Sequence, residues 1–283
     1  MTGATRGPHM HLRRLIMTVV CATLLSGVGA SAQGLRDLAT GDDSKGWHAV
    51  GRLNLGDWGF CTGALIAEDL VLTAAHCLYN ERTGGLVQAS DLEFRAGWRN
   101  GRAEAFRGVK QAVIHPRYSY SNNDDTISRV ANDIAILRLD RPIRLPSITP
   151  YPIGDRPRKG DQVGVVSYAQ ERSESPALEE ACDVLAGRPG VYMLSCDVNF
   201  GSSGAPIFMK DDGEWRIVSV VSSKATVDDR QVALGSATKG SLPLLLDRLK
   251  MGENVFFTAT PVVRRFGQGA SAQTSGGAKF VRP

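Results

Sequence analysis

Cysteine and histidine are both scarce in this chain, five of each among 283 residues. No Cys-x-x-Cys pair occurs. With so few spare histidines, that argues against a fold built around zinc. Helix-forming runs are few, and the 31 glycines lean the chain towards β structure. A strong net charge is missing as well. The formal +4 falls to +1 once residues 1–32 are set aside, because that segment holds Arg6, Arg13 and Arg14 and no acid. A near-neutral remainder gives no electrostatic case for a nucleic-acid partner.

The N-terminal segment reads as a targeting signal. Arg13 and Arg14 precede the uncharged stretch Leu15 to Ala32, which ends Ala30-Ser31-Ala32 before Gln33. A basic start, an apolar middle and a small-x-small end describe a cleavable secretory leader. A membrane anchor is the rival, but Gly27, Gly29 and the small-residue end favour cleavage. Met10 is a candidate true start. The expected organisation is a leader at 1–32, a polar, Asp-rich arm or propeptide at 33–46, one β domain at 47–266, and a Gly/Ser/Ala-rich disordered tail at 267–283. No stable membrane association is expected after cleavage, and the product would be secreted or periplasmic.

Between residues 49 and 222, short apolar runs alternate with turn residues. Candidate strands are 49–55, 61–66, 70–73, 93–98, 109–114, 133–139, 162–169, 183–186, 191–196, 205–209 and 215–222, with polar loops at 119–125 and 171–180. Such spacing indicates an antiparallel barrel or sandwich. A short helix is expected over 242–249. No internal repeat is visible.

Four cysteines remain after the leader: Cys61, Cys77, Cys182 and Cys196. In an exported chain they suggest two disulfides, with three possible pairings. Cys182 and Cys196 flank a hairpin pattern turning at Arg188-Pro189-Gly190, which would bring the two together and leave Cys61 for Cys77.

Three fragments carry chemistry: Leu72-Thr73-Ala74-Ala75-His76-Cys77, Asn132-Asp133-Ile134-Ala135 and Gly201-Ser202-Ser203-Gly204-Ala205-Pro206. A serine hydroxyl is inert until a base takes its proton, and a base working near neutral pH selects histidine. Only His48, His76 and His115 lie beyond the leader. Asp133 heads an apolar run, where an unpaired carboxylate is costly.

These fragments, with Gly59-Phe60-Cys61-Thr62-Gly63-Ala64, resemble those of the chymotrypsin-fold serine proteases, over roughly Trp47 to Lys250. The chain order His, Asp, Ser is the one the family uses. The resemblance implies two antiparallel six-stranded Greek-key β-barrels with the active site between them and a short C-terminal helix. It implies His76 as general base, Asp133 as its orienting carboxylate and Ser203 as nucleophile. The amides of Gly201 and Ser203 would form the oxyanion hole, and Ser222 would hydrogen-bond the carboxylate. His48 and His115 would have packing or surface roles. No metal or organic cofactor is implied; the partners would be protein or peptide substrates, met by a monomer.

Departures from the animal digestive enzymes narrow the comparison. Ser202 stands where those carry an aspartate that pairs with a newly cut N-terminus, so the usual zymogen switch is expected to be missing. The Cys182/Cys196 hairpin and the approach to Ser203 look more like secreted bacterial proteases of the glutamyl endopeptidase branch. Asp197 falls where an acid would favour basic substrate side chains, Lys224 where the pocket wall is usually glycine. These two charges of opposite sign, together with Ser222, are the candidate substrate-binding residues. An inactive binding protein on the same fold is the competing functional reading.

Overall fold

A computed structural model of the chain describes residues 1–4, 34–120, 126–252 and 255–258. Most of the expected leader, most of the polar loop at 119–125 and the expected tail lie outside the described residues. Residues 33–283 cluster as one unit, and every element below belongs to it.

The elements in chain order begin with β1 (Arg36–Asp37), β2 (Val50–Leu55), β3 (Phe60–Ala67) and β4 (Leu70–Thr73). A short 3₁₀ turn at His76–Leu78 follows, then β5 (Leu92–Ala96), β6 (Ala105–Ile114), α1 (Ile127–Asn132) and β7 (Ala135–Leu139). The second half holds β8 (Gln162–Ala169), β9 (Arg172–Arg188), β10 (Val191–Leu194), β11 (Pro206–Asp211), β12 (Glu214–Val227), β13 (Arg230–Ala237), α2 (Ser241–Met251) and β14 (Val255–Thr258).

Two closed rings result. The first runs β2-β3-β4-β7-β6-β5 and back to β2; the second runs β8-β9-β10-β13-β12-β11 and back to β8. Each is six-stranded and antiparallel, and each has the same order of connections. The repeat invisible in the sequence is therefore present in the topology. Closure removes the sheet edges that an open sheet of this size would expose. β1 and β14 are added on the outside of β9 and β6. The fold class read from the sequence is thus what the chain adopts.

Alternation builds the rings. β2 buries Gly51, Leu53 and Leu55 and β5 buries Leu92, Phe94 and Ala96, with Leu53 and Phe94 at 0% exposure, the period expected of a half-buried strand. Between the barrels the packing is aromatic. The Trp47 ring lies 5.4 Å from that of Phe208 and 5.6 Å from that of Trp215, within the range of favourable edge and tilted pairs.

Several elements differ from expectation for identifiable reasons. Most of the segment 171–180, read as a loop, is the first half of the 17-residue β9, whose Ser175–Leu178 stretch is buried while Glu174 is exposed and Glu179 and Glu180 are half-buried. β13 lacked a turn signal because its hairpin uses Asp228 and Asp229, at φ 48° and 60°. That is the φ > 0 pair a two-residue primed turn demands, here without glycine. The arm at 33–46 is not loose from residue 36 onward. Arg36 and Asp37 pair with Leu178 and Ala177, and Leu38 is fully buried.

Candidate active site

His76 follows β4 directly. Ala74 and Ala75 are both at 0% exposure, so the strand end is sunk in the core and the ring is the first side chain to reach the cleft. Cys77 is bonded to Cys61 on β3, and Cys182 to Cys196, the pairing favoured by the hairpin pattern. The first bridge ties the histidine's neighbour to the adjacent strand. Two groups with metal-ligand spacing among the described residues, Cys61–His76–Cys77 and Glu179–Cys182–Cys196, each contain one of these disulfides, so their sulfurs are committed to each other.

Asp133 is supplied by a short helix that the sequence did not reveal. α1 starts at Thr126, whose hydroxyl accepts the Arg129 amide, and ends with Asp133 as its C-cap. The carboxylate is completely buried. Its Oδ1 accepts the His76 backbone N–H at 2.8 Å, and its Oδ2 lies 2.7 Å from His76 Nδ1. Oδ2 also accepts the Ser222 hydroxyl. Burial alone would raise its pKa, but attraction to the His76 ring and the hydrogen bonds from His76 and Ser222 outweigh burial and hold it below the ordinary carboxylate value. A buried carboxylate with these donors fixes the ring's orientation: Nδ1 faces the acid, leaving Nε2 on the opposite side of the ring.

Ser203 sits at a sharp turn between Gly201 and Gly204, at φ +94° and +76°. A Cβ on Gly201 would strike the Phe60 ring, and one on Gly204 would strike Thr73 Oγ1 and the backbone of Thr62, so both positions need glycine for space as well as for conformation. Ser202 and Ser203 are clearly distinguished. Ser202 is fully buried, its hydroxyl bonded to Ser167 Oγ at 3.2 Å and Tyr168 O at 3.3 Å. Ser203 is half-buried and opens on the cleft with His76. Among the described residues no hydrogen bond joins Ser203 Oγ to the His76 ring, a looseness common before substrate binds.

The backbone around Ser203 is arranged unevenly. The amides of Ser202, Gly204 and Ala205 donate to Asn199 O, Val221 O and Ser202 O. Those of Gly201 and Ser203 have no acceptor among the described residues. Two free, neighbouring N–H groups beside a serine are what a developing oxyanion requires.

The cleft beside Ser203 has a volume of about 630 Å³ and is walled on the β12 side by Val221, Ser222, Ser223 and Lys224. Lys224 Nζ donates to Asn199 Oδ1 at 3.0 Å and lies 5.0 Å from the Phe200 ring centre. Arg129 and Tyr120 also reach the cleft, and neither carries a sequence signal for it. Asp197 is not brought there: it is exposed, and its amide donates to Glu179 Oε2. His115 is 3% exposed, with Nδ1 accepting the Arg117 amide at 3.3 Å. His48 is half-buried, against Ser44 and Ser147. Neither touches the cleft.

Two six-stranded barrels with histidine, buried aspartate and a glycine-flanked serine converging on one cleft define a serine protease of the chymotrypsin fold. The family model described as Trypsin matches residues 41–239, and the chain belongs to that family of serine endopeptidases. It is 29% identical over 191 residues to Trypsin epsilon of Drosophila erecta, covering 58% of this chain and 67% of the relative. It is 29% identical over 193 residues to CLIP domain-containing serine protease B15 of Anopheles gambiae, covering 57% of this chain but only 53% of that protein. Among solved structures, a Glu endopeptidase superposes with a TM-score of 0.58 at 16% identity, over 72% of this chain and 91% of that one. At that identity the likeness concerns the fold.

Proposed function

We propose that the chain is a secreted endopeptidase that hydrolyses peptide bonds of protein substrates through an acyl-enzyme on Ser203. The observation that carries this reading is the buried Asp133 carboxylate bonded at once to the backbone and the ring of His76, opposite a serine with two unengaged amides beside it.

In the first half-reaction His76 Nε2 takes the proton from Ser203 Oγ as the oxygen attacks the carbonyl carbon. The negative charge moves onto the carbonyl oxygen, which the Gly201 and Ser203 amides receive. Losing one such donor typically costs about 10²–10³ in rate. The imidazolium formed is stabilised by Asp133, then gives its proton to the leaving amine nitrogen as the C–N bond breaks. Water repeats the sequence on the ester: His76 accepts its proton, and the acid product leaves with Ser203 restored.

Export is supported by the leader-like segment and by two disulfides, which persist in oxidising compartments. Among the described residues no helix is long and apolar enough to cross a membrane. Activity without an N-terminal switch is supported by the neutral, buried Ser202, held by Ser167, which in turn accepts from Arg172 Nη2 at 3.1 Å.

The test is covalent labelling. Mature protein treated with a fluorophosphonate probe should be modified once, and Ser203→Ala should not be modified at all. Equal labelling of the two would refute the assignment, and folded wild-type protein that neither labels nor cleaves casein would favour the binding-protein reading.

A further inference from the structure

Thr62 is a fully buried residue on β3 of the first barrel. All of its polar atoms are engaged. Its amide donates to Ser203 O at 2.8 Å. Its hydroxyl donates to Gly201 O at 2.8 Å. The same hydroxyl oxygen accepts the Tyr168 amide at 3.1 Å, and its carbonyl accepts Thr73 Oγ1 at 2.9 Å. The incoming Tyr168 N–H occupies one face of the oxygen and directs the hydroxyl hydrogen towards Gly201.

The consequence lies in which loop residues are held. Thr62 grips the carbonyls of Gly201 and Ser203, so the peptide planes it holds are 201–202 and 203–204, which flank on both sides the plane carrying the unengaged Ser203 N–H. Gly201, at φ +94°, has no side chain to anchor it, and glycine is the residue most free to rotate. On its other side the Phe60 ring leaves no room for a Cβ, but a contact of that kind limits approach without fixing the peptide's rotation. The hydrogen bond to the Gly201 carbonyl fixes the 201–202 plane, and the 200–201 plane that carries the Gly201 N–H is held separately by the Gln170 amide on Phe200 O at 2.8 Å.

We propose that Thr62 is a positioning residue for the oxyanion hole: its side chain and amide, reaching from one barrel into the nucleophile loop of the other, hold the 201–202 and 203–204 peptides so that the Ser203 N–H carried between them is aimed before substrate arrives. Preorganised donors act in the transition state and little in the ground state. The clamp therefore supports turnover and leaves substrate affinity nearly untouched. This rests on Ser203 being the nucleophile, which the Ser203→Ala labelling tests separately.

The experiment compares Thr62→Val, Thr62→Ala and Thr62→Ser with wild type, all assayed well below their own melting temperatures. Valine keeps the shape and removes the hydroxyl; alanine is the smaller fallback; serine restores the bond. Expected for valine and alanine is a fall in kcat of about tenfold or more, short of the roughly 10²–10³ of losing a donor outright. KM should stay within about twofold, affinity for a peptide aldehyde should weaken in parallel with kcat, and serine should recover most of the loss. A folded valine or alanine variant with wild-type kcat overturns the clamp, as does a serine variant no better than alanine, or a loss confined to KM. If wild type itself is unlabelled and inactive, it is the catalytic reading that fails, not the clamp alone.

Discussion

The Ser222 hydroxyl donates to Asp133 Oδ2 at 2.5 Å, on the oxygen that faces His76 Nδ1. One carboxylate oxygen thus serves the His76 ring and a residue from the far barrel together, 89 positions away in sequence. Because Asp133 has no exposure to water, nothing but protein donors can satisfy it. Ser222→Ala removes one and leaves a lone pair bare in the interior. The expected cost is about 1.5–3 kcal/mol of stability, the range for a hydrogen bond to a charged group, together with a several-fold fall in kcat as the pKa of Asp133 rises. Thermal denaturation and peptide hydrolysis read the two effects. A variant matching wild type in both would mean the contact is incidental.

Gly204 makes a sharper prediction. Its φ of +76° disfavours any side chain, and a Cβ there would meet Thr73 Oγ1 and Thr62 O, with Ala74 N at 2.8 Å. Two of these are backbone atoms and cannot swing away. Gly204→Ala should cost about 3 kcal/mol or more, seen as a large drop in the denaturant midpoint or failure to recover folded protein. An alanine variant within about 0.5 kcal/mol of wild type would show that the loop relaxes freely.

What could be read in the sequence was decided by how local the cause was. His76, Ser203 and both disulfides are marked by neighbours: the Ala-Ala-His-Cys run, the paired glycines and the Pro-Gly turn. Asp133 was legible as a costly acid before an apolar run, but not as the cap of α1, because six residues carry too little periodicity to separate from a loop. The first half of β9 and the whole of β13 were missed because charge and a glycine-free turn obscured alternation, whereas 183–186 of β9 was read as a strand. Thr62 sits in a fragment already singled out, yet its hydroxyl is aimed at a residue 139 positions away, and no local pattern encodes such a contact.

His115 gives a pH dependence away from the cleft. Burial first, then Arg117 and Arg248, push its pKa from 6.5 down to about 4. The folded state therefore resists a proton that the unfolded chain accepts readily. The stability at issue is complete above about pH 6.5 and is lost progressively as the pH falls towards 4, since the unfolded state binds more protons throughout that interval. His115→Asn, which can still accept the Arg117 amide, should flatten the fall in melting temperature over the interval. Parallel curves for variant and wild type would remove the histidine as the cause.

Selectivity turns on two charges that the structure separates. Asp197, the candidate acid for drawing basic substrate side chains, is exposed with its amide turned to Glu179. Lys224 instead lines the cleft beside Ser203, and its tie to Asn199 keeps the ammonium there. A substrate side chain entering along β12 meets positive charge without a matching acid from Asp197. Asp197→Asn should leave kcat/KM unchanged within about twofold for substrates with Arg or Lys at the cleaved bond. Lys224→Ala should raise the rate on those substrates relative to uncharged ones by about fivefold, equivalent to about 1 kcal/mol, the upper scale of an exposed charge interaction. The gain should shrink at high salt, because exposed charges are screened within about a nanometre. A large loss of basic-substrate cleavage in Asp197→Asn, with Lys224→Ala neutral, would reverse the assignment and put the acid back in control of selectivity.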